Sequence, residues 1–323
     1  LGYTDALGTP DLRRAIARHY ATSYGLELDP GRVVVTMGSS AGFIISFLAC
    51  FEPGDRVALA APGYPAYRNI LQALDITVVE IPCGPETNFQ PTPALLDRVA
   101  GPLAGLIVAS PSNPTGTMIG AADMERLCGY CRDRGVRMIS DEIYHGITYR
   151  EAAVTAAAYW DDAVIINSFS KYFSMTGWRL GWMVMPESLM RATECLAQNL
   201  FISAPTLSQV AAVAAFDCRD ELDANVAVYA ANRKLLLDRL PQAGFDKLAS
   251  ADGAFYIYAD VAHLTNDSPA FCQRILAEAG VAVTPGTDFD PLRGNRYLRF
   301  SFARGEAEIA AAAERLIAWS GNA

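Results

Sequence analysis

Hydrophobic residues in the first two-thirds of this chain gather into short runs separated by longer mixed stretches. The runs at residues 32–36, 56–60, 76–81, 106–110, 136–140 and 163–167 are dense in Val, Ile, Leu and Ala, and have the length and content of buried strands. Between several of them the spacing turns helical, as at residues 121–134. Strands apolar on both faces and separated by helices predict a mostly parallel sheet covered on both sides, an α/β layer architecture. Near the start, Thr9-Pro10 reads as an N-cap followed by proline in the first turn. Leu12, Ala15, Ile16 and Tyr20 then share one helix face. Beyond residue 204 the strand rhythm stops. A helical pattern at about residues 221–240 is long enough to bridge two units. Strands follow near residues 253–259 and 297–302, and an alanine-rich helix begins at about Glu306. The expected division is a large domain over residues 1–215 and a smaller α+β domain, with the bridging helix, over 216–323.

Composition narrows the partners more than the fold. Of 323 residues, 51% are hydrophobic and 19% charged, enough for a buried core and contrary to disorder. A formal net charge of −9 points away from nucleic acid and anionic membranes. No apolar run approaches the ~20 residues of a membrane helix. The start lacks a signal-peptide pattern, though opening on Leu1 suggests that a segment precedes it. Seven scattered cysteines fit a reducing compartment, so the expected location is cytoplasmic. Cys128 and Cys131 form a C-x-x-C inside a helical stretch with no second pair, which predicts packing. His19, His145 and His263 are too dispersed for a metal cluster.

In open α/β sheets, ligands bind beyond the carboxyl ends of the strands. Five of the apolar runs are followed by polar or aromatic groups: Gly38-Ser39-Ser40, Pro62-Gly63-Tyr64, Ser112-Asn113-Pro114, Asp141-Glu142-Ile143-Tyr144 and Ser168-Phe169-Ser170-Lys171. A small-residue turn opening a helix offers N–H groups to an anion. Lysine occurs only at Lys171, Lys234 and Lys247, and one of the three stands at this edge, with Arg179 close behind. Lysine forms Schiff bases with aldehydes, and arginine grips phosphate with a planar fork. Asp141, directly after a buried strand, needs a partner; a protonated pyridine nitrogen is one that fits. Taken singly, a solvated loop lysine or a capping aspartate would be the ordinary reading of either residue. Their convergence is what predicts a site.

The stretch S-F-S-K-x-F-x-M-T-G-W-R-L-G-W, residues 168–182, resembles the cofactor-lysine signature of the class I/II aminotransferases, fold-type I pyridoxal-phosphate (PLP) enzymes related to aspartate aminotransferase. S-P-S-N-P-T-G at 110–116 and D-E-I-Y at 141–144 resemble two further blocks, in the same order. With the regions of Tyr3 and Arg299, the resemblance spans nearly the whole chain. It implies that Lys171 carries PLP as a Schiff base and shuttles protons, that Asp141 pairs with the pyridine nitrogen, and that Tyr144 and Asn113 contact the ring oxygen. Tyr64 would stack on the ring, while Ser39, Ser40, Ser168 and Arg179 would hold the phosphate. Arg299, with Asn113, would bind the substrate α-carboxylate, and Asn113-Pro114 would be cis. Tyr3 would reach the phosphate of a neighbouring subunit, which implies a homodimer.

The resemblance implies amino transfer between an α-amino acid and a 2-oxo acid. β-Elimination or cyclisation on the same scaffold is the alternative chemistry, and a ligand-sensing domain of a transcriptional regulator the alternative class. Family members specific for dicarboxylates carry a cation at the positions of Asn199 or Ser40, and neither is charged here. At least one preferred substrate is therefore expected to be a neutral amino acid, glutamate staying open as a second donor, with Arg68, Arg293 and Arg296 as the candidate replacements for that cation.

Overall fold

The computed structural model describes residues 1–321. Its larger sheet is built from β1 (Val33–Thr36), β2 (Arg56–Ala61), β3 (Thr77–Pro82), β4 (Gly105–Ala109), β5 (Arg137–Asp141), β6 (Val164–Ser168) and β7 (Gly181–Val184). Their order across the sheet is β1-β7-β6-β5-β4-β2-β3. The pairs β2·β3, β2·β4, β4·β5 and β5·β6 are parallel, whereas β7 runs antiparallel to both β1 and β6. Six strands therefore share one direction and open their carboxyl ends on one edge. Five of these ends carry the polar segments picked out above.

Alternation along the strands explains the two covered faces. Val33, Val35, Met138 and Ile165 enter one core, and Val34, Ile139, Val164 and Ile166 enter the other. The covering helices are α1 (Pro10–Tyr24), α2 (Gly38–Cys50), α3 (Pro65–Ala73), α4 (Pro93–Leu96), α5 (Ala121–Arg134), α6 (Met190–Phe201) and α7 (Thr206–Ala215). Cys128 and Cys131 lie on the buried face of α5. The mostly parallel sheet sandwiched by helices is the α/β architecture expected from the runs. Thr9 does occupy the N-cap of α1, but its hydroxyl makes no capping bond; its N–H is instead held by Gln209 Oε1 at 2.8 Å.

The long helix α8 (Arg219–Arg239) leads into a second sheet of β8 (Lys247–Leu248), β9 (Tyr256–Asp260), β10 (Thr284–Pro285) and β11 (Tyr297–Ser301), with α9 (Ser268–Ala279) and α10 (Glu306–Ser320). This sheet is antiparallel, in the order β10-β11-β9-β8. It has its own core of Leu236, Phe271, Ile275, Leu298, Ile309 and Leu316. Leu222, at the other end of α8, packs in the larger core. Strand β7 was invisible as a separate element, because its four residues are buried and antiparallel pairing leaves no mark on a fully apolar run.

Candidate active site

A cavity of about 270 Å³ lies at the carboxyl edge of the larger sheet and is lined by Ser39, Ser40, Tyr64, Tyr67, Asn113, Asp141, Tyr144, Ser170, Lys171, Arg179, Tyr256 and Arg299 among others. Parallel strand direction does the gathering: α2 follows β1, α3 follows β2, and β4, β5 and β6 each end in a segment that lines the cavity.

Asp141 ends β5 and is buried. Its Oδ1 accepts the Ile143 N–H at 3.1 Å, and its Oδ2 accepts the Tyr67 hydroxyl. Burial pushes its carboxyl up to about 6, against the opposing pull of the Tyr67 and Ile143 hydrogen bonds and the nearby Lys171 charge. Lys171 is half-buried, its Nζ 5.6 Å from the centre of the Tyr144 ring and 5.8 Å from that of Phe255. Burial lowers its pKa; the Asp141 charge opposes this, and Arg179 and Arg299 reinforce it. A depressed ammonium pKa enlarges the share of neutral, nucleophilic amine. The Tyr144 hydroxyl lies 2.9 Å from that of Tyr256, and burial holds it well above the usual phenol range.

Arg299 is braced from several sides. Its Nη1 donates to Asn113 Oδ1 at 2.8 Å and its Nη2 to Thr284 Oγ1 at 3.2 Å, while its buried Nε has no hydrogen-bond partner. Among the described residues neither Arg299, Arg179 nor Lys171 forms a salt bridge with a carboxylate. Three cations around one cavity, none salt-bridged to a carboxylate and together outnumbering Asp141, suit it to anions.

At the first turn of α2, Gly38 has φ +73°, and a Cβ there would come within 2.9 Å of Arg179 Nη2. The absence of a side chain lets that guanidinium lie against the turn. Ser39 and Ser40 follow it into the cavity lining. Ser168 is buried beneath: its hydroxyl lies 3.0 Å from that of Ser170 and accepts the Ser170 N–H at 3.1 Å. Ser170 is the serine that lines the cavity. The Asn113-Pro114 bond is cis, as are Ala61-Pro62 and Ser110-Pro111. Tyr3 is 83% exposed and does not line this cavity.

Sequence reasoning gave no site role to Tyr67 or Tyr256, and named Ser170 only as part of a strand-end segment. Tyr67 carried a signal, since it stands three residues beyond Tyr64, whose ring centre lies 5.4 Å from its own. Tyr256 carried none, because its place depends on how β9 pairs with β11. The proposed stand-in cations lie elsewhere. Arg68 pairs with Glu80 at 2.9 Å. Arg293 is held by Asp290 at 2.8 Å and by the Ala61 and Cys83 carbonyls. Arg296 is exposed, as is Asn199 on α6, whose amide donates to the Cys195 carbonyl at 2.8 Å.

Comparison with known proteins agrees with this geometry. The family model for aminotransferase class I and II matches residues 1–316. The valine–pyruvate aminotransferase of Mycobacterium tuberculosis is 53% identical over 99% of this chain and 83% of its own length. The crystal structure of an aminotransferase from the same organism superposes with a TM-score of 0.98 at 52% identity, covering 100% of this chain and 84% of that one. A tetra mutant of the Thermus thermophilus aspartate aminotransferase superposes with a TM-score of 0.91 at 31% identity, over 98% of this chain and 88% of that one. Matched along nearly its whole length in sequence and fold, the chain belongs to the class I and II aminotransferases, enzymes that move an amino group between an amino acid and a 2-oxo acid.

Proposed function

We propose that this enzyme uses pyridoxal 5'-phosphate held by Lys171 to exchange the amino group of a neutral α-amino acid with a 2-oxo acid such as pyruvate. The observation that carries the reading is the convergence of a depressed lysine, a buried carboxyl and two arginines lacking carboxylate partners on one cavity. The donor set fits the cofactor. Arg179, Ser39, Ser40 and the Gly38 turn suit a phosphate, with Ser168 steadying Ser170; Tyr64 suits a ring face, and Tyr144 and Asn113 suit a ring oxygen. Asp141, its carboxyl pushed up to about 6 chiefly by burial, would become a firm carboxylate beside a cationic ring N–H.

When bound, the cofactor supplies an aldehyde for amines and a ring that draws electrons from the substrate carbon. Each remaining task falls to the chain. Arg299, pre-aimed by Asn113 and Thr284, clasps the α-carboxylate. Lys171 would hold the cofactor through Nζ and, with its ammonium pKa lowered by burial, would serve as the base that takes and returns the substrate proton. Tyr144 holds its own proton because burial opposes its ionisation.

Specificity follows from the cations that are missing. A second substrate carboxylate would need a partner, and among the described residues the cavity offers only Lys171, Arg179 and Arg299. Valine in the name of the 53% identical relative accords with a neutral side chain. We also assign residues 1–215 to the cofactor-holding unit and 216–323 to a smaller one, joined by α8. A homodimer is part of the proposal. Met37, Trp178, Leu200, Ile202, Leu207 and Val210 are exposed apolar groups, and the first two flank Gly38 and Arg179, as a site completed by a partner subunit requires.

The test loads the protein with the cofactor, reduces it with borohydride and maps the modified residue, with Lys171→Ala as control. Half-reactions with valine, alanine, leucine and aspartate follow. Modification at Lys171 and a higher kcat/KM for at least one neutral amino acid than for aspartate are expected. Modification elsewhere would overturn the cofactor assignment, and aspartate preferred over all three would overturn the specificity.

A further inference from the structure

Tyr256 touches two of the groups on which the proposed reaction depends, and it does so with different parts of its side chain. In the register of β9 against β11, Arg299 faces Tyr258, so Tyr256, two residues away on the same face, is its diagonal neighbour. The Tyr256 ring centre lies 4.4 Å from Arg299 Cζ, with Phe289 at 4.8 Å as a second ring against the same guanidinium. Its hydroxyl lies 2.9 Å from that of Tyr144. Tyr256 is 7% exposed, and a phenol buried so deeply is costly unless its hydroxyl is bonded. Phenylalanine would serve equally well if packing were the only demand.

We infer that Tyr256 is a positioning residue that joins the carboxylate grip of Arg299 to the hydroxyl proton of Tyr144. Each hydroxyl of the pair has one proton to give. When an acceptor occupies the cavity beside Tyr144, the Tyr144 proton turns to it, and Tyr256 becomes the donor to the Tyr144 oxygen. A donor on that oxygen makes Tyr144 a stronger donor in turn. The ring of the same residue holds the guanidinium by cation–π attraction, so the two contacts cannot move independently. This inference rests on the function proposed above.

The experiment uses the full-length, cofactor-loaded enzyme with Tyr256→Phe and Tyr256→Leu, checked for folding by thermal denaturation. One readout is the midpoint of the pH titration of the visible absorbance; the other is the Kd of an unreactive monocarboxylate. Tyr256→Phe keeps the ring and loses the hydroxyl, so the midpoint should move by about half a pH unit or more, while the Kd stays within about twofold. Tyr256→Leu loses both contacts, so the midpoint should move as well and the Kd rise by about three- to tenfold. A Tyr256→Phe enzyme that titrates like the wild type, or a Tyr256→Leu enzyme with unchanged Kd, overturns the coupling. A wild-type protein that acquires no visible absorbance with the cofactor overturns the proposed function and this inference together. Normal wild-type titration with unresponsive variants overturns the inference alone.

Discussion

At the scale of single residues, burial sets the chemistry of the carboxyl edge. Asp141 and Glu142 are adjacent and both buried, yet they face different surroundings. Asp141 borders the cavity, and Asp141→Asn should lower kcat/KM by about 10²-fold, the scale of losing one preorganised electrostatic contact; unchanged turnover with bound cofactor would refute its role. Glu142 turns away from the cavity, its Oε1 accepting the Ala156 N–H at 2.9 Å and the Ser140 hydroxyl at 3.0 Å. Burial pushes its carboxyl from the usual 4.5 up to about 8, its hydrogen bonds pulling the other way. The folded protein thus keeps this proton where the unfolded chain has released it. The stability it contributes is complete below about pH 4.5 and falls as pH rises to about 8. Denaturation midpoints of the wild type and Glu142→Gln at several pH values isolate this group from other titrating residues. The wild type should lose stability more steeply across that window, and parallel curves would show the assignment wrong.

At the scale of elements, the site depends on how closely β7 approaches the first turn of α2. A Cβ on Gly181 would lie 2.8 Å from the Asn167 carbonyl oxygen, 2.9 Å from Ser39 N and 3.0 Å from the Gly38 carbonyl carbon. These are backbone atoms, which cannot swing aside as a flexible side chain would. Gly181→Ala should therefore destabilise the fold by about 1–3 kcal/mol and weaken cofactor binding, because the displaced turn carries Ser39 and Ser40. Thermal denaturation and cofactor titration check both effects. An alanine variant with wild-type melting and affinity would show that the turn has slack.

At the scale of the whole molecule, the single chain forms the cavity but leaves Tyr3 and a set of apolar residues facing outward. We expect sedimentation of the full-length enzyme to show a dimer at assay concentrations; a fully active monomer would exclude a shared site. Arg293 ties the segment before β11 to the end of β2, reaching Asp290 on one side and the Ala61 and Cys83 carbonyls on the other. It holds the segment carrying Phe289, a ring against Arg299, close to the loop that leads to Tyr64.

The sequence by itself determined six buried strands, because short apolar runs separated by helical stretches need a covering layer on each face. It also marked Lys171, Asp141 and Asn113 by their places at strand ends, and Arg179 and Arg299 through the family resemblance; all five line the cavity. Tertiary structure alone decided the rest. The antiparallel course of β7 is a matter of chain direction, to which hydrophobic periodicity is blind. Ser170 rather than Ser168 lines the cavity, because Ser168 still belongs to the buried end of β6. The bonds from Tyr67 to Asp141 and from Tyr256 to Tyr144 join residues separated by 74 and 112 positions. Such contacts exist only once sheet order and strand register bring the partners together.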